Sequence, residues 1–171
     1  MAIGIARFED EPILAASRDR NSLFYGFVIW IITCLLVSAP DLNRALHSNA
    51  ARFPATINGI VFGFALLVMI VMITAIQILE YALCHWLARL LFGGRATFPQ
   101  VLRVLLLGSI VQWTFIIPVV GLLVGSLWSI AVLMRTFEEV EGIPRLKAFG
   151  ISVCVSVPFN ILFVLLSTQR H

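Results

Sequence analysis

The chain has 171 residues, of which 60% are hydrophobic and 12% charged, and its mean hydropathy is +1.00. A soluble domain is about 45–50% apolar and about 25% charged, so twelve Lys+Arg and nine Asp+Glu cannot clothe a globule of this size. High aliphatic content with 11 Gly and 7 Pro also excludes collagen-like and disordered classes.

What remains is a membrane protein, whose first partner is the lipid bilayer. Residues 1–21 carry Glu9, Asp10, Glu11 and Asp19 and read as a cytoplasmic N-terminal segment. A span needs about 20 apolar residues, and the first one covers 22–39, closed by Pro40 and Asp41. Proline directly after Ser38 and Ala39 argues against signal cleavage, so this run is expected to be retained. The second span covers 56–80. Its helical pattern continues to Leu91, so the helix is expected to project beyond the bilayer.

From Val104 to Met134 there are 31 residues without a charge. One helix of that length would measure roughly 46 Å and overshoot a core of about 30 Å. Two helices are short unless Arg103 and Arg135 snorkel to the interface. The distribution of cations decides between them. With a cytoplasmic N-terminus and five spans, the inner side holds Arg7, Arg18, Arg20, Arg89, Arg95, Arg103, Arg135, Arg145 and Lys147. The outer side then holds only Arg44, Arg52 and Arg170, nine against three. Four spans give seven against five, so the positive-inside rule selects five. Pro118 and Gly121 suit a tight turn between spans 99–117 and 119–135. The last span covers 148–167.

The expected fold is therefore an all-α, multi-pass integral membrane protein. Residues 22–171 form one bundle of five transmembrane helices, N-terminus cytoplasmic and C-terminus outside. No polar stretch is long enough to bury a core of its own. The Arg-over-Lys bias suits a GC-rich bacterial genome, hence a bacterial cytoplasmic (inner) membrane. No basic run is dense enough to bind nucleic acid.

Small residues recur four apart at Gly59 and Gly63, at Gly121, Gly125 and Ser129, and at Ala148, Ser152 and Ser156. In lipid, helices associate by close backbone approach and interhelical hydrogen bonds. These faces are expected to pack the bundle, with a homo-oligomer or a membrane-protein partner as the alternative. Asn160 follows on the last of these ridges, and Pro158 is a plausible kink that frees the carbonyl of Cys154.

Intramembrane polar residues are costly and mark functional candidates. Glu80 is the one acid inside an apolar helix. Gln77, Glu80 and Cys84 share a face, and Tyr81, His85 and Arg89 share the adjacent one. Either they form a ligand or proton site at the inner mouth of the bundle, or Glu80 simply lies at the interface. Gln112 lies near mid-span and suits a single interhelical hydrogen bond.

Reactive constellations are missing: there is no HExxH, G-x-S-x-G, CxxC or phosphate loop. Cys84 and His85 are adjacent on a helix, about 100° apart, and cannot jointly ligate a metal from one face. Cys34, Cys84 and Cys154 read as small hydrophobes rather than a disulfide framework. No enzyme activity, cofactor or metal is expected.

Between Arg135 and Lys147 the acids follow span four and the bases open span five, against the helix dipole at both ends. Topology accounts for the bases. Solvation, pairing with Arg89, Arg95 and Arg103, or a cytosolic partner surface would account for Glu138, Glu139 and Glu141.

The stretch from about Ala82 to Val155 resembles the Yip-domain family of five-span membrane proteins. The features that carry the resemblance are Gly93-Gly94-Arg95-Ala96-Thr97-Phe98, Pro118 with Gly121, Trp128, and Glu141-Gly142-Ile143-Pro144 before Ala148. The family takes its name from members that interact with Ypt/Rab GTPases. Phe8-Glu9-Asp10-Glu11-Pro12 departs from the acidic–Pro–Gly signature of the trafficking members, so no GTPase partner carries over. The short N-terminus is similar to the compact bacterial branch. The resemblance implies a non-enzymatic protein acting through helix packing and protein or lipid contacts, in membrane organisation or trafficking-like roles. A small transporter or channel component using Glu80 and its polar neighbours is the alternative.

Overall fold

A backbone in lipid must satisfy its own hydrogen bonds, which helices do within one segment, and every element among the described residues is helical. The computed structural model describes residues 1–49, 55–117 and 120–168, and within these every side chain except those of 39–49, 55–58, 122, 160 and 162–168. In chain order the elements are α1 (Ala2–Ala6), α2 (Asp10–Arg18), α3 (Asn21–Asn49) and α4 (Ala55–Phe92). Then follow α5 (Phe98–Gly108), a 3-10 segment (Ser109–Ile116), α6 (Val120–Glu141) and α7 (Arg145–Thr168).

Local chemistry fixes the helix ends. Asp19 accepts the Asn21 N–H at 3.0 Å and the Ser22 hydroxyl at 3.1 Å, opening α3. Gln100 accepts the Thr97 N–H at 2.8 Å, with Pro99 in the first turn of α5. α4 and α6 both stop at a glycine in the left-handed region, Gly93 at φ 69° and Gly142 at φ 70°. There the Gly94 N–H returns to the Ala88 carbonyl and the Ile143 N–H to that of Phe137, as in a Schellman closure. Pro158 lies inside α7.

Three helical segments among the described residues are long and apolar enough to cross a membrane: Asn21–Ser38, Gly59–Phe92 and Phe98–Ile116. The third resolves the length problem of the charge-free stretch. Its second half is wound as a 3-10 helix, which rises about 2.0 Å per residue instead of about 1.5. Eleven α residues and eight 3-10 residues reach about 32 Å, enough for the bilayer core. Ser109 and Thr114 hydroxyls donate to carbonyls three residues back, at 2.7 and 2.8 Å, in keeping with the tighter winding.

Two further expectations change. Residues 1–21 are not a plain polar tail but two short helices docked on the bundle. Their Ile5, Ile13 and Ala16 are buried with Val104, Leu107, Val111 and Val132. Residues 135–141, beyond the expected end of span four at 135, continue α6 for two more turns.

The main core joins Trp30 and Cys34 of α3, Tyr81, Cys84 and Ala88 of α4, and Leu105 and Leu106 of α5. Leu133 and Phe137 of α6 and Ala148 and Ile151 of α7 complete it. α4 packs against this core from Ile70 onward. Before that it is largely bare, with Ile60, Phe64 and Leu67 at 75%, 69% and 59% exposure. Polar links tie α2, the C-terminal ends of α4 and α6, and the starts of α5 and α7 together at one end of the molecule. They run Arg103–Ser17, His85–Glu141, Arg135–Asp10 and Arg145–Glu138.

Candidate functional site

Glu80 lies between α4 and α7, 9% exposed. Its Oε2 accepts from Gln77 Nε2 at 2.8 Å and its Oε1 from the Ser156 hydroxyl at 2.5 Å. The first bond joins residues three apart, as the shared helix face predicts. The second crosses from α7 and could not be seen from spacing. A cavity of about 170 Å³ opens beside the carboxylate. Gln77, Gln112, Ser126 and Ser129 are among the polar residues of its wall, and Trp30, Tyr81, Phe115 and Phe159 supply the aromatic part.

Two of the lining residues, Trp30 and Thr33, are tied to their neighbours by hydrogen bonds. Trp30 Nε1–H donates to Thr74 at 2.8 Å, and Trp113 Nε1–H donates to Thr33 at 2.9 Å. Thr33 in turn donates to the Ile29 carbonyl at 2.8 Å. The Ser129 hydroxyl is buried and has no hydrogen-bond partner among the described residues. Gln112, expected to make one interhelical hydrogen bond, makes none from its side chain among the described residues and lines the cavity instead. The side chain of Asn160 lies outside the described residues.

His85 is not part of this site. It shares a face of α4 with Tyr81 and Arg89, as its spacing implies, and its Nδ1 meets Glu141 Oε1 at 2.5 Å. Glu141 Oε2 accepts the Ala96 N–H at 3.0 Å, and its carbonyl accepts the Arg95 N–H at 3.3 Å. The side chain is fully buried. One carboxylate therefore fastens α4, the 93–97 loop and the end of α6. Gly94 passes so close that a Cβ there would strike Glu141 Oε2. Sequence reasoning missed this role, although an acid placed against the dipole at a helix C-terminus was its signal.

The remaining acids pair differently from expectation. Glu138 and Glu139 meet Arg135 at 2.5 and 3.4 Å, Arg145 reaches Glu138 at 3.1 Å, and Asp10 also pairs with Arg135. Among the described residues the side chains of Arg89, Arg95 and Arg103 form no ion pair with these acids. Arg103 donates to the Ser17 carbonyl at 2.9 Å, because α2 lies over it. Partial burial raises the carboxyl pKa of Glu138, but hydrogen bonds from Arg135 and Arg145 outweigh it and leave it below the usual glutamate value.

The small-residue faces divide. At Gly125 a Cβ would meet Thr114 Oγ1 at 2.5 Å and strike the Phe115 ring, and at Gly121 it would strike the Thr114 carbonyl. This is close packing of α6 on the 3-10 segment. Ala148, Ser152 and Ser156 are buried, and Ser152 donates back to the Ala148 carbonyl at 2.9 Å. Gly59 and Gly63 show no such packing: among the described residues nothing lies within 4 Å of a Cβ at either.

No cluster of three or more His, Cys, Asp or Glu among the described residues is placed to hold a metal ion. In comparison with known proteins, the Yip1 domain family matches residues 13–168. No curated protein and no solved structure gives a significant match.

Proposed function

The chain belongs to the Yip1 domain family, and from that premise we propose a five-span protein of the bacterial cytoplasmic membrane, N-terminus inside and C-terminus outside. It acts non-enzymatically, through helix packing and protein or lipid contacts that organise the membrane. Its partner is another membrane protein or a second copy of the chain. Support for five spans comes from the nine-to-three sorting of cations and from the lengths of α6 and α7. α7 is about 36 Å long, and the uncharged part of α6, residues 120–134, is about 22 Å and completes a crossing with Arg135 snorkelling to the interface.

One observation carries the contact-based role. The α1–α2 hairpin, the 93–97 loop and the Gly142–Pro144 turn are locked into one ordered polar surface by Glu141, Arg135 and Trp128, whose Nε1–H donates to the Ala6 carbonyl at 2.8 Å. Such a surface serves recognition better than a loose tail. Crosslinking in native membranes tests it: a defined adduct from Thr97 in the 93–97 loop is expected, and it should vanish when residues 1–18 are removed. Adducts unchanged by that deletion refute the role. A reporter fused after Gln169 tests the topology, and a cytoplasmic signal refutes it.

The buried carboxylate beside a cavity favours a second reading, a small transporter or channel component. Solute or proton flux in proteoliposomes, abolished by Glu80→Gln, would select it over the first.

A further inference from the structure

We propose that the cavity beside Glu80 binds a small organic ammonium group. The inference starts from an imbalance. Glu80 receives two neutral donors, Gln77 and Ser156, which orient the carboxylate without cancelling its charge. The ion pairs among the described residues engage Asp10, Glu138, Glu139 and Glu141, and none reaches Glu80. A carboxylate withdrawn from water is costly unless it is paired. Among the described residues no cation supplies that pairing, and the proposal assigns it to a ligand.

The cavity has the size and chemistry to admit one. An apolar cavity of about 150 Å³ accommodates benzene, so about 170 Å³ fits an alkylammonium of a few carbons beside Glu80. Trp30, Tyr81, Phe115 and Phe159 in the wall offer π faces that attract such a cation. Ser129, buried with an unused hydroxyl, and Gln112 offer acceptors for its remaining N–H groups. A bare metal ion is served poorly, since hard cations require several oxygen ligands at once. The ammonium has two sources of the same chemistry: a soluble primary amine, or the ethanolamine headgroup of a lipid reaching in from the bilayer. The proposal rests on the cavity and not on transport, so binding without flux removes only the transporter reading.

The test is propylammonium binding to the full chain in phosphatidylcholine nanodiscs, followed by tryptophan fluorescence and calorimetry. Saturable binding is expected, weakened about tenfold or more in Glu80→Gln, which keeps the shape and removes the charge. Ser129→Leu narrows the cavity, leaves Glu80 in place, and is expected to weaken binding independently. Glu139→Gln should bind as the wild type does. Added phosphatidylethanolamine raises the apparent Kd if the headgroup is the natural occupant, and leaves it unchanged if a soluble amine is. The proposal is overturned if propan-1-ol, the neutral isostere, binds equally well. It also fails if sodium competes on equal terms, if folded Glu80→Gln retains wild-type affinity, or if propylammonium does not saturate.

Discussion

Replacing Glu141 by alanine removes one carboxylate and strands two partners. The Ala96 N–H loses an acceptor at 3.0 Å and His85 loses its contact at 2.5 Å, both in buried surroundings. An unsatisfied buried polar group costs about 1–3 kcal/mol, so two of them give about 2–6 kcal/mol. Breaking a buried pair from one side costs about 3–5 kcal/mol, within the same range. Glutamine is the informative companion. Its carbonyl can accept from Ala96 while its amide donates to an unprotonated His85 Nδ1, so Glu141→Gln is expected to recover most of the loss. Reversible unfolding in mixed micelles, followed by tryptophan fluorescence, measures both variants. A double-mutant cycle with His85→Ala isolates the pair and should show coupling of about 0.5–3 kcal/mol. The assignment of Glu141 as the tie between α4, the 93–97 loop and α6 is refuted if Glu141→Ala unfolds within about 1 kcal/mol of the wild type, below the range for one stranded group.

Gly125→Ile is expected to destabilise by about 1–3 kcal/mol or more through overpacking against Phe115, whereas Gly63→Ile should leave folding intact; monodisperse yield in size exclusion separates them. Trp128→Phe removes the tie to the Ala6 carbonyl and is expected to cost about 0.5–1.5 kcal/mol, read as faster proteolysis at Arg7. The depressed carboxyl pKa of Glu138 makes a stability contribution that is present above the ordinary glutamate value and lost as pH falls through the lower folded one. Acid melting curves of Glu138→Gln should therefore be flatter than those of the wild type over that window.

Much of the helical layout was legible because it follows from charge and length. Arg103 and Arg135 bracketed the uncharged stretch, Gly93 punctuated the chain, and the long run to Leu91 emerged as one helix, whereas Pro40, expected to close the first span, does not end α3, which runs on to Asn49. The partners of individual side chains were less legible. Gln77 and Glu80 are three residues apart, so their bond is written in helical spacing, but Ser156 lies 76 residues away from Glu80 and Glu141 lies 56 away from His85. Such pairings depend on how helices rotate about their axes, which one-dimensional periodicity leaves open. Hairpin α1–α2 was obscured for another reason. Its few apolar residues, Ile5, Ile13 and Ala16, are too sparse to announce a core, and they find one only on a surface made by α5 and α6.

The free half of α4 carries a consequence for where the protein can reside. Its uncharged run from Gly59 to Leu79 spans about 32 Å, close to the bilayer core, and the whole segment to Phe92 reaches about 51 Å. The end near Phe92 is anchored by the core, so only the Gly59 end can yield to hydrophobic mismatch. A thin bilayer therefore makes this end tilt or gathers thicker lipid around it, at a cost that grows with each ångström of excess. Bilayer thickness thus becomes a variable the molecule responds to, with α4 as a lever hinged at the packed end.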